Sequence, residues 1–288
     1  MTETLLSVRN LRVVYPGDDG DFRAVRNVSF DLGRERLGIV GESGSGKSTT
    51  GRAIMGLIAR PGRVEADQLR LGDIDLTALN EAGFRRLRGK RIAMVLQDPK
   101  FSLDPVMSVG KQIAETHRHH FRSSRAEARK AALEMLEAVH IRDPARVYNQ
   151  FPHQLSGGMG QRIMIAMMLI AGPDILIADE PTSALDVSVQ QQVLAIMDEM
   201  VKRRGMGLIL ISHNLHLVSS FCDRVLVMYA GQIVEVCDAG KLHEAQHPYT
   251  RGLLAALPEL GQRRDELPQL QRDPAWLADL PAALGAAP

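Results

Sequence analysis

The chain has 288 residues, room for one large domain or two modest ones. Its apolar share of 45% is that of an ordinary globular protein, and a net charge of +1 brings no basic surplus of the kind nucleic-acid binders carry. Aromatic residues at 4% leave little material for stacking bases.

The first residues, Met1-Thr2-Glu3-Thr4, lack a basic stretch followed by an apolar one, so no signal peptide is expected. The longest apolar run, residues 163–171, is about half of the roughly 20 residues a membrane span needs, and it predicts a buried helix. Residues 5–14 and 24–32, rich in Val and Leu around the turn chemistry of 17–20, predict strands. Residues 37–40 predict a short apolar strand that runs into a glycine-rich loop. A helix over 48–59 follows, ended by Pro61-Gly62. Residues 91–96 predict a buried strand. From about 99 to 155 the pattern becomes helical. Ser124-Arg125-Ala126-Glu127 is a capping box, and Ala128, Ala132, Met135, Leu136 and Val139 follow at helical spacing. Residues 175–178 and 208–211 predict buried parallel strands, and 225–236 a hairpin around Ala230-Gly231. A short helix is predicted at 253–257. The prolines beyond it (258, 268, 274, 281 and 288) predict a loosely ordered tail or a docking segment. Cys222 and Cys237 read as buried apolar side chains in a reducing compartment, which makes the cytosol the expected location.

Three short segments carry chemistry. Gly41-Glu42-Ser43-Gly44-Ser45-Gly46-Lys47-Ser48 fits G-x-x-x-x-G-K-[ST], with a strand before it and a helix after it. Such a loop wraps its N–H groups around phosphate, its lysine bridges the β- and γ-phosphates, and its serine hydroxyl sits on Mg²⁺. The apolar strand 175–178 ends in Asp179-Glu180, which suits a metal-shell carboxylate and a general base acting on water. Leu155-Ser156-Gly157-Gly158-Met159-Gly160-Gln161 opens an apolar helix and offers a second anion-binding N-terminus. One nucleotide does not need two such surfaces from one chain. A head-to-tail dimer does.

These segments, in this order, resemble the ATPase of an ABC transporter over residues 5–257. Gly41 to Ser48 correspond to the family's phosphate loop, Gln97 to its Q-loop, 155–161 to its signature and Asp179-Glu180 to the acidic strand end. Ser183 to Asp186 correspond to its D-loop, His213 to its switch histidine and Tyr15 to its adenine platform. Gln97-Asp98-Pro99, Ser102-Leu103-Asp104-Pro105, Phe151-Pro152-His153-Gln154 and His247-Pro248-Tyr249-Thr250 are similar to the oligopeptide/dipeptide/nickel importer branch. The branch uses two ATPase types. Residues 163–167 are closer to the first and 49–54 to the second, so the type stays open.

The resemblance implies an α/β fold: a P-loop (RecA-like) core with an antiparallel β subdomain over 1–97 and 160–240, a helical subdomain over 98–159, and a C-terminal extension over 241–288. It implies ATP bound by Tyr15, by the loop from Gly41 through Ser48 to Thr49, and by Gln97 and Asp179, with Ser156, Gly157 and Gly158 completing another chain's site. Mg²⁺ is implied on Ser48, Gln97 and Asp179, and catalysis by Glu180, His213, Gln97 and Lys47. The implied partners are a second ABC ATPase subunit, two membrane permease subunits and, indirectly, an extracytoplasmic solute-binding protein, but no nucleic acid. The chain is then expected at the cytoplasmic face of a bacterial inner membrane. Two alternatives remain: a soluble ABC ATPase acting on nucleic acid or ribosomes, and a catalytically silent subunit of a heterodimeric importer.

Three positions depart from the branch. No cysteine follows Cys237, so no iron–sulfur cluster is expected. Gly160 stands where Arg or Gln is usual, and a glycine inside a helix costs up to about 1 kcal/mol against alanine. Asp104 replaces a usual Asn. His117, His119 and His120 lack a fourth ligand and regular spacing, and they read as a solvated stretch rather than a metal site.

Overall fold

The computed structural model describes residues 3–18, 20–99, 102–183, 185–256 and 273–277. The expected tail at 258–272 and 278–288, and residue 257, lie outside the described residues. The chain divides into two compact units, residues 1–81 with 209–288, and residues 82–208.

In chain order, unit 1 opens with β1 (Leu6–Tyr15), β2 (Phe22–Leu32), β3 (Arg36–Val40), α1 (Lys47–Ile54), β4 (Arg63–Glu65), β5 (Gln68–Leu71) and β6 (Ile74–Asp75). Unit 2 takes over within α2 (Glu81–Leu87). It carries β7 (Ile92–Val95), α3 (Val109–Phe121), α4 (Arg125–Ala138), α5 (Pro144–Val147), α6 (Gly157–Leu169), β8 (Ile175–Asp179) and α7 (Val187–Arg204). The chain re-enters unit 1 within β9 (Gly207–Ser212), and α8 (Leu215–Phe221), β10 (Arg224–Tyr229), β11 (Gln232–Asp238) and α9 (Pro248–Ala255) follow.

Unit 1 holds two sheets. In the first, β1 pairs antiparallel with β2, β4 and β5, and β6 extends it from β5. In the second, the order is β11-β10-β3-β9, with β10 parallel to β3 and β11 closing an antiparallel hairpin. The hairpin is the one expected around Ala230-Gly231, with a register shift between Val227 and Met228. All six residues of β9 are buried, as the unbroken apolar run demands of a covered parallel strand.

In unit 2, β7 and β8 pair in parallel, and every residue of both is buried. α6 packs on α3, α4, α7 and β7 through Ile163, Met164, Ile165, Ala166 and Leu169, none of them exposed. The capping box of α4 is present: Ser124 Oγ accepts the Glu127 N–H at 3.2 Å, and Glu127 accepts the Ser124 N–H at 2.8 Å. Val139, expected on the periodic stripe, is the C-cap of that helix.

Two expected helix boundaries are corrected. α1 ends at Ile54, five residues before the predicted stop at 59. Gly56 takes a left-handed φ of 64°, its N–H donates to Ala53 O at 3.0 Å, and the Leu57 N–H donates to Arg52 O at 2.8 Å. That is a glycine-terminated helix end, and it acts before Pro61 is reached. The helix predicted at 253–257 begins at Pro248, because His247 caps it, with Nδ1 accepting the Tyr249 N–H at 3.2 Å, and proline is favourable in a first turn.

No helix of the described residues is long and apolar enough to cross a membrane. Cys222 is buried and Cys237 half-buried. Burial pushes their thiols up to about 12 and about 11, so neither is a ready nucleophile.

Candidate functional site

In unit 1, β3 delivers the chain to the loop 41–48, and the loop turns into α1. Its shape depends on glycine at two positions. Gly41 has φ 152°, and a Cβ there would lie 2.1 Å from the main-chain oxygen of Met228. Gly46 has φ 96°, and its Cβ would lie 2.6 Å from Ala24 O. The backbone is therefore pressed against the β10–β11 hairpin and the start of β2. The Gly231 N–H donates to Ser45 O at 3.0 Å and so fastens the loop to the hairpin turn.

Lys47 is buried at 5% exposure. Its ammonium donates to Gly41 O and Glu42 O, both at 2.8 Å, and to Ser45 Oγ at 3.3 Å. The helix it opens has Gly46 as N-cap and no side-chain cap, which leaves that end suited to an anion. Ser48 and Thr49 are half-buried in the first turn, while Ser43 and Gly44 are exposed at the loop's crest. Tyr15, at the end of β1, is half-buried. Its ring lies close against Gly62, where a Cβ would approach Cε1 to 2.6 Å. His213 follows β9 and is exposed. It stands between Ser212, whose Oγ accepts the Asn214 N–H at 3.0 Å, and Asn214, which caps α8 by accepting the Leu217 N–H at 3.0 Å.

Unit 2 holds the other residues. Asp179 ends β8 at 5% exposure. Glu180 follows in the left-handed region at φ 48°, a conformation that costs a β-carbon residue roughly 1–2 kcal/mol. Its carbonyl accepts the Ser183 N–H at 3.3 Å and the Ser183 hydroxyl at 3.2 Å, so the turn after the strand holds it there. Strain of this kind at a strand end is a feature of working sites. Gln97 is exposed just after β7, and the chain then folds into a tight turn in which Ser102 and Leu103 both donate to Pro99 O at 3.0 Å.

Ser156 caps α6, and its Oγ accepts the Met159 N–H at 3.4 Å. Ser156 and Gly157 are exposed. Gly158 is needed for packing, since a Cβ would meet Val189 Cγ1 at 2.5 Å. Asp186 caps α7 by accepting the Val189 N–H at 3.0 Å. That bond first, and then the Ser188 hydroxyl, hold its carboxyl below the usual range.

The two substitutions in unit 2 have local accounts. Gly160 is buried, and a Cβ there would meet Pro99 at 3.4 Å, an ordinary contact with the turn after Gln97. Asp104 Oδ1 accepts the Val106 N–H at 2.9 Å, the turn bond an asparagine would also make. His117 Nδ1 lies 2.8 Å from Ser123 Oγ, and His119 and His120 stack edge to face at 5.0 Å. Among the described residues no group of three or more His, Cys, Asp or Glu is placed to hold a metal ion.

Two features of the phosphate loop carry no sequence signal. One is its bracing by Met228 and Gly231. The other is a hydrogen bond from the Glu42 N–H to the hydroxyl of Tyr249.

Comparison with known proteins places this geometry in a family. The model of the ABC transporter family matches residues 25–183. The dipeptide transport ATP-binding protein DppD of Escherichia coli is 46% identical over 268 residues, 92% of this chain and 82% of that protein. The oligopeptide transport ATP-binding protein OppD of Bacillus subtilis is 47% identical over 91% of this chain and 74% of its own length. Among solved structures, the dimeric ATP-binding cassette MJ0796 in a post-hydrolysis state with ADP and phosphate superposes with a TM-score of 0.70. It is 27% identical over 81% of this chain and 98% of that one. The chain belongs to the ABC transporter family, as an ATP-binding protein of the branch that includes those of dipeptide and oligopeptide transport.

Proposed function

We propose that this chain hydrolyses ATP to power an importer of dipeptides, oligopeptides or related small solutes, working as one half of a pair of ATPase subunits. ATPase activity coupled to transport belongs to the family. The solute class follows the relatives' names. The observation that carries the reading is the buried Lys47 ammonium, held at 2.8 Å by two carbonyl oxygens of a loop in which Gly41 and Gly46 have no room for a side chain.

The residues fit the groups they are assigned. The uncapped start of α1 and the Lys47 charge suit a nucleotide's phosphates. The Ser48 hydroxyl, the Asp179 carboxylate and the Gln97 amide are oxygen donors, the set a hard Mg²⁺ ion takes. When bound, Mg²⁺ neutralises charge on the phosphates. Lys47 draws the β- and γ-phosphates into place. Glu180 accepts the proton of the attacking water, and the strained turn behind it fixes its direction. His213 donates to the γ-phosphate, and Tyr15 stacks on adenine. Ser156, Gly157 and Gly158 serve the ATP held by a second ATPase subunit.

The ATPase pair works beneath two membrane permease subunits at the cytoplasmic face, and a solute-binding protein feeds it from the other side. Residues 98–159 form the helical subdomain within the core of 1–97 and 160–240, with 241–288 as the C-terminal extension.

The test is uptake of a labelled dipeptide, with ATP turnover, by the complex of this chain with its membrane subunits in vesicles. Glu180→Gln is expected to lower turnover at least about 100-fold, the lower range for losing a general base, while ATP stays bound. Wild-type turnover in that variant removes Glu180 as the base and revives the silent-subunit reading. Copurification with ribosomes instead of membrane subunits favours the soluble alternative.

A further inference from the structure

The phosphate loop is tied to the C-terminal extension through one tyrosine. Tyr249 lies in the first turn of α9 and is fully buried. Its hydroxyl oxygen accepts the Glu42 N–H at 3.0 Å, across 207 positions of sequence. The other end of Glu42 faces the loop's working parts: its carbonyl accepts the Lys47 ammonium at 2.8 Å and the Ser45 N–H at 3.1 Å. A single residue thus separates the Tyr249 hydroxyl from the lysine assigned to phosphate.

Tyr249 is itself held by rings. Tyr229 meets it at 4.5 Å between centroids. Trp276, the chain's one tryptophan, stands edge-on to Tyr229 at 5.9 Å and to Tyr249 at 6.3 Å, with His247 at 5.8 Å. Tyr229 follows Met228, the residue whose carbonyl presses on Gly41. The cluster therefore reaches the loop along two routes, through Met228 to Gly41 and through Tyr249 to Glu42. A buried tyrosine hydroxyl needs a partner, and many main-chain groups could have supplied one. Here the phosphate loop supplies the N–H that this hydroxyl accepts.

We propose that Tyr249 is a positioning residue for nucleotide binding. Its hydroxyl fixes Glu42, and through the Glu42 carbonyl it fixes the Lys47 ammonium and the Ser45 turn, while Tyr229 and Trp276 hold Tyr249 in place. The proposal rests on the reading of loop 41–48 as the phosphate site. Its physical basis is preorganisation. Without the bond the loop spends part of its time in arrangements that cannot grip phosphate, and the apparent affinity falls by that fraction.

The test is a calorimetric titration of MgATP into the full chain, as wild type, Tyr249→Phe and Lys47→Ala. Tyr249→Phe keeps the ring and removes the hydroxyl. It is expected to raise the Kd about three- to tenfold at unchanged stoichiometry, the range one hydrogen bond allows. Lys47→Ala is expected to lose more. If Tyr249→Phe binds with the wild-type Kd while Lys47→Ala fails, the positioning role is overturned and the phosphate loop stands. If Lys47→Ala binds like wild type, the reading of the loop itself is wrong. A lower stoichiometry at unchanged Kd marks a tyrosine that only supports folding, and it also overturns the proposal. Should Tyr249→Phe not fold, Trp276→Ala decides: a raised Kd at unchanged stoichiometry supports the clamp, and an unchanged Kd overturns it.

Discussion

The loop 41–48 and the turn 156–158 both set glycines ahead of a helix, and in the sequence they look like two versions of one device. In the structure they differ in what surrounds them. The loop is closed in by its own unit: Met228 and Ala24 carbonyls stand where side chains would go, Gly231 holds Ser45, and the Lys47 ammonium is folded against loop oxygens. The turn at Ser156 is exposed, neither Gly157 nor Gly158 has a left-handed φ, and only Gly158 is pressed by a neighbour, the side chain of Val189. A loop braced on all these sides by its own unit suits a ligand gripped by this chain. An exposed helix start with a serine cap suits a ligand brought by another. That contrast supports the proposal that the two segments serve different nucleotides.

The contrast can be broken at the glycines. Gly41→Ala drives a β-carbon into a main-chain oxygen at a left-handed φ. It is expected to destabilise the protein by roughly 3 kcal/mol and to abolish ATP binding. Gly157→Ala meets only Leu185 at 3.7 Å, and thermal unfolding should show it within about 0.5 kcal/mol of wild type. Equal losses in the two variants would erase the distinction. At Gly160 the effect is expected to have the opposite sign. Its β-carbon has room beside Pro99, so Gly160→Ala should raise stability by about 0.5–1 kcal/mol through helix propensity alone. A destabilised Gly160→Ala would mean that the contact with the turn after Gln97 is tighter than the 3.4 Å separation indicates.

The motifs were legible because each is local. A strand, a glycine loop and a helix start lie within a dozen or so residues, and so do the apolar run and carboxylates of β8. Ser124 and Glu127 announced their helix for the same reason. The early stop of α1 is also local, since Gly56 ends the helix before Pro61 is reached. What the sequence did not yield is non-local. β4, β5 and β6 are short, and only pairing with β1 and with one another defines them. The brace on Gly41 comes from residue 228 and the bond on Glu42 from residue 249. No periodicity reports a contact closed over some 200 positions. His247-Pro248-Tyr249-Thr250 could be matched to a branch of the family, but the use of its tyrosine emerged only when the fold brought it to the loop.

Division of labour between the phosphate loop and the signature turn, each serving a different nucleotide, is open to a binding measurement. Titrating MgATP into the full chain carrying Ser156→Arg, beside one carrying Lys47→Ala, tests it directly. Ser156→Arg is expected to bind with the wild-type Kd, and Lys47→Ala with a Kd raised at least about tenfold, as loss of a charged phosphate contact requires. A Ser156→Arg chain that loses its own ATP as Lys47→Ala does would contradict it.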